Sequence, residues 1–185
     1  NKGLRINQMI VLRIEDRNGT VLQHFTPETS QVLSEESAYT VLELLKGVTE
    51  DGSGVRLRGR WGKYPDSIST GYPYDLKNPV AGKTGTTQNH SDGWFMGVVP
   101  NLATGVWTGA DDRATHFEEI TQGQGATMSL PTWALYMKKC YADSTLVISQ
   151  KDFERPAHIP AKFDCSNKDL NNDVEDVLSG EYTEE

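Results

Sequence analysis

Residues 79–109 read PVAGKTGTTQNHSDGWFMGVVPNLATGVWTG, and this stretch decides the fold. It contains three runs of strand-favouring residues, Pro79–Thr87, Gly93–Val99 and Thr104–Gly109, bounded by glycine, proline and asparagine. A tight Pro100-Asn101 turn joins the last two runs. Because a parallel crossover needs a dozen or more residues, such short connections predict antiparallel neighbours.

Two amphipathic helices are predicted on either side of these strands. Ser34, followed by Glu35 and Glu36, places a capping hydroxyl and two carboxylates at the positive end of the first helix, which we expect to reach about Gly47 or slightly beyond. The second helix opens at Ser129-Leu130-Pro131 and repeats apolar residues at helical spacing. Helices beside an antiparallel sheet predict an α+β fold in which the helices pack on the sheet.

The rest of the chain divides into a hairpin, a loop and a tail. Asn18-Gly19 lies between two alternating runs of Met9–Phe25, which is a strong signal for a β-hairpin. Asp51–Asn78 has no hydrophobic period and is predicted to be a long loop. Residues 1–150 are predicted to form one folded unit. Residues 151–185 are predicted to be an acidic, disordered tail.

Composition excludes several classes of protein. The chain has 185 residues, of which 36% are hydrophobic, as expected for a single globular domain. Its longest nearly apolar stretch, Leu130–Met137, is far shorter than the ~18 residues of a spanning helix. Much of the net charge of −8 lies in residues 164–185, where eight acidic side chains accompany Lys168 alone. The preceding residues are therefore close to neutral, and no nucleic-acid partner is predicted.

Cysteine and histidine carry little information about function. Cys140 and Cys165 fit no zinc or redox spacing, so a disulfide and two unpaired thiols both remain open. His24, His116 and His158 share no ligand spacing, and we expect no metal site and no cofactor.

The run Gly82-Lys83-Thr84 is first tested as a phosphate loop. That motif requires a second glycine where this chain has Lys77, and it leads into a helix whereas a strand is predicted here. An edge strand fits better, with Lys83, Gly85 and Thr87 on one face and Thr84 and Thr86 on the other. An extended peptide can add to such an edge, with the ammonium and hydroxyl groups binding a carboxylate or a developing oxyanion.

The wider pattern resembles the C-terminal half of the transpeptidase domain of class A, bifunctional penicillin-binding proteins. Lys-Thr-Gly is one of three motifs of penicillin-recognising enzymes. The resemblance covers roughly residues 3 to 142 and rests on the following segments in order: Asp16–Gly19, Lys46–Val48, Ala81–Thr87, Ser91–Gly97, Pro100–Leu102, Gly105–Gly109, Asp111-Asp112 and Gly123–Ala126. It implies part of the fold shared by penicillin-binding proteins and serine β-lactamases.

This resemblance also implies an activity and a set of roles. Such proteins cross-link peptidoglycan stem peptides through a serine acyl-enzyme, and β-lactams mimic the substrate. Lys83 and the backbone N–H of Thr86 are implied to be catalytic, and the substrate-binding residues are implied to be Thr84, Gly85, Thr86 and Thr87. The implied location is the cell envelope, periplasmic or on the outer face of the cytoplasmic membrane, with the anchor in an upstream segment.

One departure from the family pattern qualifies this hypothesis. No serine in the chain has a lysine three positions later, and none has an asparagine two positions later, so both serine motifs are missing. The chain is therefore predicted to be a truncated domain that is inactive alone and needs the upstream half of its parent. The alternative is a non-catalytic module that binds a peptide, or a second copy of itself, at an open strand edge.

The sequence also predicts whether two further groups of side chains are buried or solvated. The aromatic residues Trp94, Phe95, Trp107 and Trp133 are predicted to lie in the core because they occupy apolar periodic positions. The basic cluster of Arg56, Arg58, Arg60 and Lys63, with Trp61, is predicted to belong to a solvated loop, and the alternative is a contact with an anionic glycan or lipid.

Overall fold

A computed structural model describes residues 1–61, 68–69 and 73–159 of the chain. The elements follow in this order: β1 (Leu4–Ile6), β2 (Arg13–Glu15), β3 (Val21–His24), β4 (Thr29–Gln31), α1 (Glu35–Glu50), a 3-10 helix (Val55–Arg58), β5 (Arg60–Trp61), β6 (Ile68–Ser69), β7 (Ala81–Thr86), a 3-10 turn (Gln88–His90), β8 (Asp92–Val99), β9 (Leu102–Gly109), α2 (Ile120–Gly123), α3 (Gly125–Met128) and α4 (Leu130–Ala142).

The three predicted strands form one antiparallel sheet in the order β7-β8-β9. Lys83 pairs with Met96 and Thr84 with Phe95, while Trp94 pairs with Trp107. The two-residue turn at Pro100-Asn101 fixes the register of the second pair. The α+β class with an antiparallel sheet and packed helices is confirmed.

One face of the sheet carries the core. Phe95 is fully buried and meets the Trp133 ring of α4 edge to face, with ring centroids 5.0 Å apart. Gly97 provides the space for that indole, because a Cβ at this position would lie within 3.0 Å of the Trp133 ring. Leu130, Ala134 and Met137 of α4 are also fully buried, so the predicted apolar stripe packs against the sheet.

The opposite face of the sheet is open to solvent in the part of the chain that the structure describes. Trp94, Met96 and Trp107 lie on it and remain 45%, 46% and 48% exposed. The prediction that Trp94 and Trp107 belong to the core is therefore wrong, whereas it is confirmed for Phe95 and Trp133. The reason is alternation: adjacent residues of one strand point to opposite faces, and the described helices cover only the Phe95 face.

Helix α1 begins and packs much as the sequence predicts. The Ser34 hydroxyl caps it by accepting a hydrogen bond from the Ser37 N–H at 3.1 Å. The helix continues past Gly47 to Glu50, and its final turn packs on β7 through the buried Thr49.

The segment before α1 consists of two short antiparallel pairs. Strands β2 and β3 form the predicted hairpin, and Asp16 closes its turn by accepting hydrogen bonds from the Asn18 and Thr20 N–H groups. These bonds lower the pKa of the Asp16 carboxyl. Strand β1 pairs with β4, a contact between distant segments that no local pattern predicts.

The prediction of a featureless loop over Asp51–Asn78 is wrong in part. The segment contains a 3-10 helix with the fully buried Leu57, and β5 pairs with β6. Arg58 is not solvated, because its guanidinium donates hydrogen bonds to the carbonyls of Thr49, Leu76 and Asn78. Burial lowers the pKa of Arg58. This side chain joins the end of α1 to the approach to β7.

Residues 151–159, the first part of the predicted tail, lie against α1. The Lys46 ammonium bonds both carboxylate oxygens of Asp152 at 2.9 and 3.0 Å, and Phe153 is buried beside it. The boundary at residue 150 stays a prediction, and residues 160–185, including Cys165, lie outside the described residues. Cys140 is a buried cysteine in α4 and has no disulfide partner in the part of the chain that the structure describes. Among the described residues, no helix combines the length and apolarity that a membrane span requires.

Candidate active site

The site is built on β7, which is an edge strand of the sheet. The Thr87 N–H donates to the Asp92 carbonyl at 3.1 Å, which fixes the alternation of hydrogen bonds along the β7-β8 pair. Residues 81, 83 and 85 therefore point their backbone groups toward β8. Gly82, Thr84 and Thr86 point theirs outward, to the free edge.

Among the described residues, only the first half of this edge is covered. The buried Thr49 of α1 donates its hydroxyl proton to the Val80 carbonyl at 2.6 Å, and Ala81 and Gly82 are buried. From Lys83 onward the residues are exposed or half-buried. The outward groups of Thr84 and Thr86 thus lie where an extended peptide can pair with them.

The predicted alternation of side chains along β7 is confirmed by the register. Lys83 and Gly85 share a face with Met96 and Trp94, and Thr84 shares the other face with Phe95. The exposed Lys83 ammonium donates to the outward carbonyl of Thr84 at 2.9 Å. The positive charge therefore lies at the free edge, beside the outward backbone groups.

Two hydroxyls follow each other on the helix-facing side of the strand. The Thr86 hydroxyl accepts a hydrogen bond from the Gly125 N–H of α3 at 3.0 Å. The Thr84 hydroxyl lies 2.7 Å from the hydroxyl of Ser53. Since the Thr86 oxygen already accepts a bond, its proton is available to a ligand that accepts hydrogen bonds.

Gly85 and Thr87 occupy different environments. A Cβ at Gly85 would meet the Cβ of Trp94 at 3.1 Å, so the missing side chain leaves room for close packing on that face. The Thr87 hydroxyl lies 3.2 Å from the Ser91 hydroxyl and bonds the Asp92 backbone at 3.2 Å. Thr87 therefore closes the β7-β8 turn, and its contact with substrate stays a prediction.

Three residues at the site were not predicted from the sequence as site residues. Ser53 reaches Thr84 from the turn after α1, and Arg56 donates to the Ala126 carbonyl and the Thr127 hydroxyl of α3. Gly125 lies so close under the sheet that a Cβ would fall within 3.0 Å of the carbonyl oxygens of Gly85 and Trp94. For Gly125 the sequence signal was the glycine pattern of residues 123–126, which contributed to the resemblance.

Taken together, the second half of β7 presents an ammonium, hydroxyl groups and backbone N–H groups at one open edge. Hydrogen-bond donors and positive charge in one place suit an anionic ligand with an extended backbone.

Proteins of known name that resemble this chain are penicillin-binding proteins. The chain is 31% identical over 156 residues to penicillin-binding protein 1A of Aquifex aeolicus, which covers 84% of this chain and 18% of that protein. It is 29% identical over 166 residues to penicillin-binding protein 1A of Clostridium tetani, covering 90% of this chain and 19% of that protein. The chain thus spans about a fifth of the length of these curated relatives. No protein-family model matches it.

The fold leads to the same group of proteins. A crystal structure of penicillin-binding protein 1A from Haemophilus influenzae superposes with a TM-score of 0.61 at 22% identity, over 85% of this chain and 26% of that chain. The predicted partial penicillin-binding-protein fold is therefore confirmed. The chain is a homologue of penicillin-binding protein 1A, and it corresponds to a C-terminal portion of the transpeptidase domain.

Proposed function

We propose that this chain forms the substrate-binding strand of a penicillin-sensitive D,D-transpeptidase that cross-links peptidoglycan stem peptides. The observation that carries the proposal is the half-open edge of β7, where Thr84 and Thr86 turn backbone groups outward beside the Lys83 ammonium. The D-alanyl end of a stem peptide is extended and ends in a carboxylate, which matches these groups in shape and charge.

Each residue of the strand has one proposed role. Lys83 attracts the substrate carboxylate and orders the hydroxyl of the second serine motif, and the hydroxyls of Thr84 and Thr86 donate to the carboxylate. The outward N–H of Thr86 is one of two donors to the oxyanion. Loss of such a donor typically removes about 2.7–4 kcal/mol of transition-state stabilisation. Gly85 lets the peptide approach the backbone closely.

The nucleophile comes from outside these 185 residues, because the chain contains no Ser-x-x-Lys. The serine oxygen attacks the penultimate D-Ala carbonyl, the amide C–N bond breaks, and the terminal D-Ala leaves with the serine proton. An amine of a neighbouring stem peptide then attacks the ester, and the serine recovers a proton as the C–O bond breaks. With a β-lactam the ring C–N bond breaks instead, and the opened ring stays attached.

This function sets the partners and the location. The proposed ligands are the stem peptide and β-lactams, and the proposed structural partner is the upstream half of the transpeptidase domain. The substrate lies in the cell envelope, so we place the site there, periplasmic or on the outer face of the cytoplasmic membrane, held by an upstream anchor.

Fluorescent penicillin tests the proposal. We expect no covalent adduct on the 185-residue chain and a labelled band on the full-length protein that contains it, which excess unlabelled penicillin abolishes. In the full-length protein, Lys83→Met should reduce the rate of labelling strongly, whereas the exposed Lys139→Met on α4 should leave it unchanged. An adduct on the short chain, or no adduct on the full-length protein, contradicts the proposal.

A second candidate is a non-catalytic module that binds a peptide or a second copy of itself. It is favoured by the absent serine motifs and by β9, whose outer edge has no partner strand among the described residues. The same labelling experiment separates the two functions, since a non-catalytic module is not acylated in any context.

A further inference from the structure

The side chain of Ser53, in the turn that follows α1, contacts the open part of the β7 edge. Ser53 lies three residues beyond the end of α1, and its hydroxyl oxygen is 2.7 Å from that of Thr84. Both hydroxyls lie at the open part of the edge, where Ser53 is exposed and Thr84 is half-buried. The contact joins positions 31 residues apart.

The arrangement at Thr86 indicates what this contact does. There the Gly125 N–H donates to the threonine oxygen, which leaves the hydroxyl proton for a ligand. If Ser53 donates to Thr84 in the same way, both threonines become proton donors that face the same ligand. A pair of aligned donors suits a carboxylate, because a carboxylate only accepts hydrogen bonds.

Arg56 lies in the same short segment as Ser53 and contacts α3, the helix that bonds Thr86. Its guanidinium donates to the Thr127 hydroxyl at 2.8 Å and the Ala126 carbonyl at 3.3 Å, so it ties the 3-10 helix to α3. Residues 53–56 thus contact Thr84 directly through Ser53. Through Arg56 they are also hydrogen-bonded to α3, whose first N–H, that of Gly125, donates to the Thr86 hydroxyl.

We propose that Ser53 is a positioning residue for the substrate carboxylate, which it serves by donating its hydroxyl proton to Thr84 and so fixing Thr84 as a donor to that carboxylate. This inference rests on the proposed function of β7. It predicts that Ser53 matters for ligands with a free carboxylate and not for ligands without one.

The experiment compares two probes on the full-length protein that contains this chain: a penicillin with its free carboxylate, and the same penicillin as the carboxylate methyl ester. The variants are Ser53→Ala, Ser53→Thr, Thr84→Val and the double variant Ser53→Ala with Thr84→Val. The second-order rate constant of acylation is measured for each, and thermal unfolding identifies variants that do not fold.

We expect Ser53→Ala to slow acylation by the free penicillin by about fivefold to tenfold, the size typical of one hydrogen bond. Acylation by the ester should be unchanged, and Ser53→Thr, which keeps the hydroxyl, should restore the rate. In the Thr84→Val background the Ser53→Ala change should have no further effect, since the two residues act as a unit.

If Ser53→Ala slows acylation equally with both probes, its role is merely structural and the inference is overturned. The inference is also overturned if Ser53→Ala has no effect on either probe, or if its effect is undiminished in the Thr84→Val background. If Ser53→Ala does not fold, the acylation rates of Ser53→Thr and Thr84→Val are compared with both probes instead. Slowing by Thr84→Val of the free penicillin alone, with Ser53→Thr unchanged, supports the inference, and equal slowing of both probes overturns it. Failure of the unsubstituted full-length protein to be acylated would instead overturn the proposed function, so the two failures are distinguishable.

Discussion

The hydroxyl of Thr49 donates a 2.6 Å hydrogen bond to the carbonyl oxygen of Val80, which joins the last turn of α1 to the residue before β7. The Thr49 oxygen also accepts a bond from the Arg58 guanidinium at 2.9 Å. Both Thr49 and Val80 are fully buried. One hydroxyl therefore satisfies a buried acceptor and a half-buried donor at the point where the site strand begins.

Replacement of Thr49 by valine should destabilise the chain by about 2–4 kcal/mol. Valine has nearly the same shape but leaves the Val80 carbonyl and one Arg58 N–H without their partner, at about 1–3 kcal/mol for the buried carbonyl and about 1 kcal/mol for the half-buried guanidinium. Urea titration of this chain measures the change in the free energy of unfolding. Thr49→Ser is the matched control, since it keeps the hydroxyl and should cost only about 1 kcal/mol for the lost methyl group. Equal losses for the two variants would contradict the prediction.

Two glycines of the sheet should respond differently to the same substitution. A Cβ at Gly97 would press on the buried indole of Trp133, whereas a Cβ at Gly105 would meet the far end of the half-exposed Met96 side chain. We expect Gly97→Ala to lower the free energy of unfolding by about 1–3 kcal/mol through overpacking. Gly105→Ala should change it by less than about 0.5 kcal/mol, because Met96 can move into solvent. Similar values for both would show that the Trp133 face is not tightly packed.

The ion pair between Lys46 and Asp152 should stabilise the chain in a pH-dependent way. Burial lowers the pKa of Lys46, but hydrogen bonds to Glu43 and Asp152 outweigh it, and the pKa lies above that of free lysine. A raised folded pKa means that the stabilisation is fully present below the ordinary lysine pKa and is lost as the pH rises through the folded value.

Asp152→Asn should therefore reduce the free energy of unfolding at pH 7 by about 1 kcal/mol, a modest value because Asp152 is half exposed. The difference from the unsubstituted chain should shrink at pH values above the folded pKa of Lys46, where this side chain loses its charge. Urea titrations at both pH values provide the measurement. Glu154→Gln, which removes the more exposed pair with Lys2, is the control and should have almost no effect. A difference that persists above the folded pKa of Lys46 would rule out this ion pair as its source.

Local patterns predicted the parts of the fold that depend on neighbouring residues. The Ser34 cap, the apolar stripe of α4 and the two-residue turn at Pro100-Asn101 each follow from residues a few positions apart. The strand that carries Lys83–Thr86 was also predicted, together with its alternation of faces.

Patterns could not predict which face of the sheet the helices cover. Trp94 and Phe95 are adjacent and must point to opposite faces, yet both are apolar, so alternation alone leaves the buried face undecided. Arg58 was missed for a related reason: its acceptors include the carbonyls of Leu76 and Asn78, 18 and 20 residues away. The contact of Ser53 with Thr84 spans 31 residues and has no local signature either.

The open face of the sheet leads to a prediction about association. Trp94, Met96 and Trp107 form an apolar surface beside the unpaired edge of β9 in the described part of the chain. Apolar patches of this kind are usually covered, so we expect the isolated 185-residue chain to self-associate, with a light-scattering mass that rises with concentration.

Met96→Glu should weaken this self-association, because it places a charge at the centre of the patch and next to Lys83, its partner across the strands. Leu135→Glu on α4 is the matched control, since Leu135 is 50% exposed and Met96 is 46% exposed, but Leu135 belongs to a helix and not to the open face. Light scattering over a hundredfold range of concentration should show a lower mass for Met96→Glu alone. A monomer at every concentration, or an equal effect of both variants, would mean that the open face does not drive association. In the full-length protein, where the upstream half is proposed to pack against this chain, the same Met96→Glu change should leave the mass unchanged.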